Sequence, residues 1–255
     1  MPNPNYMESQ KELAWKMRGI LTDWLVQVHV RFRLLPETLF LCVNIIDRFL
    51  SARVVSLAKL QLVGVTCMFI AAKFEEVIAP SVMHFLQCAD SSYTESEILQ
   101  AERYVLKTLD WNLSYPNPVH YLRRVSKADD YNVKVRTLAK YLLEIGCLEW
   151  RLIAAPPSLM AAAAIWLGRL ALGLENWVSL QVVCHLSNKF EYMITDTKLG
   201  TLFVVSGERV DSYREPNAKL YPQADKARVV PQEICSKALF QGTFILPSTP
   251  LYSYF

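Results

Sequence analysis

Residues 57–76 read LAKLQLVGVTCMFIAAKFEE, a run that is apolar on nearly every side and rich in small residues. A surface helix carries one apolar stripe, whereas a helix apolar all round belongs at the centre of a bundle. The run is therefore read as a central helix, capped at its start by Ser56 and broken by Pro80.

Working outward, residues 10–33 place Met17, Ile20, Leu21, Trp24, Leu25, Val28 and Phe32 at three- and four-residue steps, the mark of one helical stripe. Leu34 and Leu35 form a tight link, and Pro36 suits the first turn of a second helix over 36–52 with Leu39, Phe40, Val43, Ile46 and Leu50 inward. A short helix is expected over 81–88. Thr94 with Glu97 makes a capping box for another over 95–110. Together these elements form one bundle, residues 1–115.

Tyr115-Pro116-Asn117-Pro118 cannot be helical throughout and reads as a boundary. Helices are expected again near 119–127, over 131–150 and, after Pro156-Pro157, over the alanine-rich 158–174, so residues 116–177 form a partial second bundle. Beyond Trp177 the character changes. VSLQVVCHL is followed by TLFVVSGERV, which suits a strand, and by recurring prolines, so 178–255 is expected to be poorly ordered or partly strand.

The chain has 255 residues, 52% of them hydrophobic, which is ample for a core and excludes disorder throughout. Its formal charge of +3 is spread out rather than gathered in a tail, which gives no reason to expect nucleic acid. Six cysteines are scattered without a CxxC pair and read as reduced core residues. The first residues lack the apolar stretch of a signal peptide, and the longest apolar run is interrupted by Arg169, so a soluble intracellular chain is expected, with no membrane partner. There is no Walker loop, GxSxG, HExxH or metal-spaced His/Cys cluster, and the four histidines are isolated. No enzymatic activity, cofactor or metal is expected.

Charges that fall on apolar stripes are informative, because burying an unpaired charge costs several kcal/mol. Arg18 shares a face with Leu21 and Leu25, and Asp47 continues Phe40, Val43 and Leu50. An Arg18–Asp47 bridge between the first two helices follows, read as structural. Lys73 continues Leu62, Thr66 and Phe69, and Glu102 continues Ile98, Val105 and Leu109. Periodicity allows two readings of that pair: an internal salt bridge, or two groups on an apolar surface that bond a partner's backbone. Met17, Leu21 and Trp24 are equally open, as core or as an apolar groove beside Leu60 and Gln61.

MRGILTDWL, NIIDRFL and KFEE, in this order and spacing and followed by YPNP, resemble the cyclin box, and most closely that of the mitotic B-type cyclins, over about 2–177. The resemblance implies an all-α cyclin fold of tandem helical bundles. It also implies a regulatory subunit that binds and activates a cyclin-dependent protein kinase at the G2/M transition, present in nucleus and cytoplasm. Such a subunit holds the kinase's regulatory helix inward and draws its activation segment from the substrate cleft. On that likeness Lys73 and Glu102 bond kinase backbone, and Ile70, Phe74, Leu106, Trp111 and Leu113 supply apolar contact. Met17, Ile20, Leu21, Trp24, Leu60 and Gln61 form a patch that docks basic-x-leucine motifs of substrates and inhibitors. Gln27 stands where an acidic residue is common, which weakens the attraction for an arginine.

Two departures are expected to matter. The chain begins too late for the helix and degradation leader that precede the first box in the family, and likeness ends after Trp177, so the second bundle is incomplete and, unless the tail packs there, its helices 131–150 and 158–174 are partly uncovered and fragile. The competing reading is thus a cyclin-like chain with impaired or no kinase activation. A DNA-binding cyclin fold would need a basic face, and only short clusters such as Arg123-Arg124 occur.

Overall fold

The computed structural model describes residues 1–174. Among them are eight α-helices and no strand: α1 (Trp15–Phe32), α2 (Pro36–Ala52), α3 (Leu57–Glu75), α4 (Val82–Cys88), α5 (Glu95–Thr108), α6 (Pro118–Ser126), α7 (Val133–Leu148) and α8 (Pro157–Ala171). The strand-like stretches, Cys184, His185, Cys235 and the rest of 175–255 lie outside the described residues.

α3 is the hub of the first bundle. Leu60 and every residue from Leu62 to Ala72 are buried, with α1, α2 and α5 packed around them. By length and composition α3 could cross a membrane, but 67% of its most apolar window is buried inside the protein. Its glycine permits close contact: a Cβ on Gly64 would lie 2.6 Å from Leu21 Cδ1 of α1.

α1 starts at Trp15, later than its stripe suggested. Residues before it strap across α2 instead, with Gln10 Nε2 donating to the carbonyls of Leu50 (2.8 Å) and Arg53 (2.7 Å) while its Oε1 accepts from Val55 N–H (3.0 Å). Arg33, in the left-handed conformation (φ 53°), ends α1. Ser56 occupies the first cap position of α3, but its side chain makes no capping bond. Glu12 of the strap takes that role, accepting from Leu57 N–H at 3.0 Å. Another distant carboxylate serves α2: Glu76 Oε1 accepts from Leu35 N–H (2.7 Å) and Thr38 Oγ1 (2.5 Å). Only α5 is capped as read, with Thr94 Oγ1 accepting from Glu97 N–H and Thr94 N–H donating to Glu97.

The two halves share their packing. Leu138, Tyr141, Ile145 and Leu148 of α7 belong to the core of the first bundle, and Phe40 of α2 belongs to that of the second. Part of the α7 side expected to be uncovered is thus packed on the first bundle, while Val133 stays exposed. Trp15 stacks on Trp150 (centroids 4.7 Å apart, 14° between planes). Asn117, read as linker, is buried, caps α6 through Val119 N–H (3.1 Å) and donates to Glu37 O (3.1 Å), while Arg123 pairs with Glu37. Cys42 and Cys67 are buried, Cys88 and Cys147 partly so, and all four are free thiols.

Candidate functional site

The charges that sequence placed among carbon fall into two arrangements. In the first, α1 and α2 bring Arg18 to Asp47 with two parallel bonds, Nε to Oδ1 and Nη2 to Oδ2, each 2.8 Å. Both side chains are almost wholly buried. Tyr6 O–H donates to Asp47 Oδ1 (2.9 Å) and Arg18 Nη1 donates to Cys147 O of α7 (3.0 Å). Burial alone would lower the Arg18 pKa, but the charge and hydrogen bonds of Asp47 overcome it and the pKa is raised. Burial, then the Asp47 charge, pushes the Tyr6 hydroxyl up. This set is an internal joint between the bundles.

The second arrangement lies at the surface. Lys73, in the last turn of α3, ion-pairs with Glu102 of α5, and its ammonium sits 4.3 Å from the centre of the Phe69 ring. The Lys73 side chain is 44% exposed and that of Glu102 10%. The pair is an inter-helix salt bridge in which the lysine is partly exposed and the glutamate is buried. An ammonium carries three donors and a carboxylate about four lone-pair positions, so each keeps capacity for a further bond.

Exposed apolar side chains occur on the same two helices or just past their ends. Phe74 is 56% exposed and Trp111 67%, the latter held in the left-handed conformation (φ 59°) just past α5. Leu113 is partly buried against the core. Ile70 is 3% exposed and Leu106 9%. Both point into the bundle, because the inward stripe of α3 and of α5 includes them, so they support this surface from beneath and present almost none of their own. Sequence reading missed Val77 and Ile78, 99% and 87% exposed in the loop after α3. An apolar pair outside any helical period, three residues after Phe74 and just before Pro80, was the available signal.

The proposed docking patch has a buried floor, Leu21 and Leu60, with Met17, Trp24 and Gln61 partly buried and Ile20 exposed. Tyr93 O–H donates to Gln61 Oε1 at 3.4 Å. Gln27 is exposed and donates to Asp23 Oδ2 at 3.3 Å, so a carboxylate stands one turn away from the position where sequence placed the loss of one. A cavity of about 80 Å³ opens elsewhere, between the halves, lined in part by Arg18, Asn44, Asp47, Tyr115 and Cys147. Among the described residues no cluster of His, Cys, Asp and Glu is arranged to hold a metal ion.

Helices wrapped around a buried α3 and a charged joint to a second helical group define an all-helical scaffold. The family model for the N-terminal domain of cyclins matches residues 1–114, and that for the C-terminal domain matches 116–191. This chain belongs to the cyclin family. The second match runs past residue 177, where sequence reading ended the likeness.

Among curated relatives, the G2/mitotic-specific cyclin cdc13 of Schizosaccharomyces pombe is 61% identical over 194 residues, 76% of this chain and 40% of that protein. The G2/mitotic-specific cyclin-B of Emericella nidulans is 59% identical over 177 residues, 69% of this chain and 37% of its own length. The chain thus spans about two fifths of the length of the curated relatives it matches. A viral cyclin from herpesvirus saimiri shares the fold with a TM-score of 0.69 at 19% identity, over 82% of this chain and 89% of its own. A chain of the CAK complex from Chaetomium thermophilum follows with a TM-score of 0.58 at 15% identity, over 94% and 85%.

Proposed function

We propose that this chain is a non-catalytic subunit that binds a cyclin-dependent protein kinase of the mitotic class and shifts it to its active form, acting at the G2/M transition. The observation that carries the reading is the Lys73–Glu102 pair, whose lysine is partly exposed, together with exposed Phe74 next to it in sequence and exposed Trp111 just past α5. A backbone segment of the kinase's regulatory helix docks there. Its carbonyls take the spare donors of Lys73 and its N–H groups find the carboxylate of Glu102, while Phe74, Trp111, Val77 and Ile78 bury apolar area around those bonds. The subunit contributes no reacting group; it acts only by binding the active conformation better than the inactive one.

Substrates and inhibitors carrying a basic-x-leucine motif dock on the Met17, Ile20, Leu21, Trp24, Gln27, Leu60 and Gln61 patch, and the complex works in nucleus and cytoplasm. The test is capture of a mitotic cyclin-dependent kinase by the purified chain followed by histone phosphorylation. Kinase capture with phosphorylation is expected, and Lys73→Ala or Glu102→Ala should each remove most of the binding. Capture without phosphorylation would instead establish the impaired cyclin-like reading. Unchanged affinity in both variants would remove this surface from the interface.

A further inference from the structure

The KFEE segment contains a residue whose carboxylate points away from the proposed partner surface. Glu76 follows the last turn of α3 and its own N–H donates to Ala72 O (3.0 Å), yet its side chain reaches back to the start of α2. There Oε1 accepts from Leu35 N–H at 2.7 Å and from Thr38 Oγ1 at 2.5 Å. The opposite side of the same corner is also held, because Leu35 O lies 3.0 Å from Nε2 of the buried His29 of α1. Residue 35 is thus gripped through both its N–H and its carbonyl by groups from two other helices.

Helix ends fray unless their orphan groups are tied, and the final turn of α3 is the one that carries Lys73 and Phe74. A carboxylate at the first turn of α2 also meets the positive end of that helix. We propose that Glu76 is a positioning residue: by anchoring the end of α3 to the start of α2 it holds Lys73, Phe74 and the Val77–Ile78 loop in register with Glu102 on α5. The inference rests on the kinase-binding reading above for its effect on affinity, and on the corner alone for its effect on order.

Thr38 is wholly buried and cannot touch a partner, which separates positioning from direct contact. The experiment measures kinase affinity of the full chain by calorimetry for Glu76→Ala, Glu76→Gln and Thr38→Val, with amide exchange of the free chain over 34–38 and 72–76. Glu76→Ala is expected to bind about tenfold more weakly, Thr38→Val about threefold, and Glu76→Gln, which keeps the acceptor, close to the parent. Exchange in both segments should quicken in the same order. If Thr38→Val binds like the parent while Glu76→Ala does not, Glu76 meets the partner directly and the proposal is overturned. Parent-like affinity and exchange in Glu76→Ala overturn it as well. Should Lys73→Ala and Glu102→Ala leave affinity intact, the partner surface is at fault, and exchange in the free chain still decides whether Glu76 orders the corner. If Glu76→Ala does not fold, Thr38→Val and Glu76→Gln carry the same comparison.

Discussion

Replacing Arg18 by alanine removes two 2.8 Å bonds to Asp47 and the 3.0 Å bond to Cys147 O in a single step. Asp47 then keeps the Tyr6 hydroxyl as a donor, at 2.9 Å, and its charge stays buried without Arg18. Breaking one side of such a pair costs about 3–5 kcal/mol, more than the pair's net worth, because the charge left behind has lost its solvent as well as its partner. For a domain of this size each kcal/mol moves the melting midpoint by about 2–4 °C, so a fall of about 6–20 °C is expected. Urea unfolding should show a lower midpoint with the slope retained, since the surface exposed on unfolding scarcely changes. Arg18→Met combined with Asp47→Leu should cost less than the sum of the separate changes, because no lone charge remains. An Arg18→Ala protein that melts within a degree or two of the parent would refute the buried joint and the inference that it ties α7 to the first bundle.

Stability should also fall as the solution is acidified below about pH 6.5. Burial lowers the His29 pKa, so the unfolded chain takes up a proton that the folded chain resists; the loss begins at the unfolded value and continues down to the folded one, and His29→Gln should flatten that slope in thermal melts. Thr94→Ala removes the cap of α5 and should cost about 1 kcal/mol in urea unfolding. Gly168→Ala should destabilise the second half although alanine favours helix by about 1 kcal/mol, because the new Cβ would stand 3.2 Å from Val135 O, a backbone atom that cannot step aside. A midpoint above that of the parent would show that α7 and α8 can separate freely.

How much of this was legible depends on the range of the interactions. The helices follow from short-range signals: Pro36 at a first turn, the Thr94–Glu97 box, and three- and four-residue apolar steps, whereas Pro118, read as linker, proves to open α6. Ser56 shows the limit of that approach, since a residue of the right type at the right place leaves the capping of Leu57 N–H to Glu12, forty-five positions from Leu57. The Arg18–Asp47 joint was readable because a charge on an apolar stripe demands a partner. Burial was not legible in the same way: Ile70, assigned to a contact surface by likeness, is 3% exposed, and Val77, assigned nothing, is 99% exposed. Likeness to a family assigns contacts by position, but exposure depends on which way a helix is turned and where its neighbours lie.

Taken alone, the order of amino acids determined the helical class, the central place of α3 and membership in the cyclin family, because periodicity and motif spacing are written along the chain. Only the tertiary structure decided that Lys73 pairs with a buried Glu102 while itself staying partly exposed, that the Glu76 side chain bonds the start of α2, and that α7, packed chiefly on α8, also contributes to the core of the first bundle. Those outcomes depend on which distant atoms come within hydrogen-bonding or packing distance when the chain closes, and a one-dimensional pattern carries no such distances.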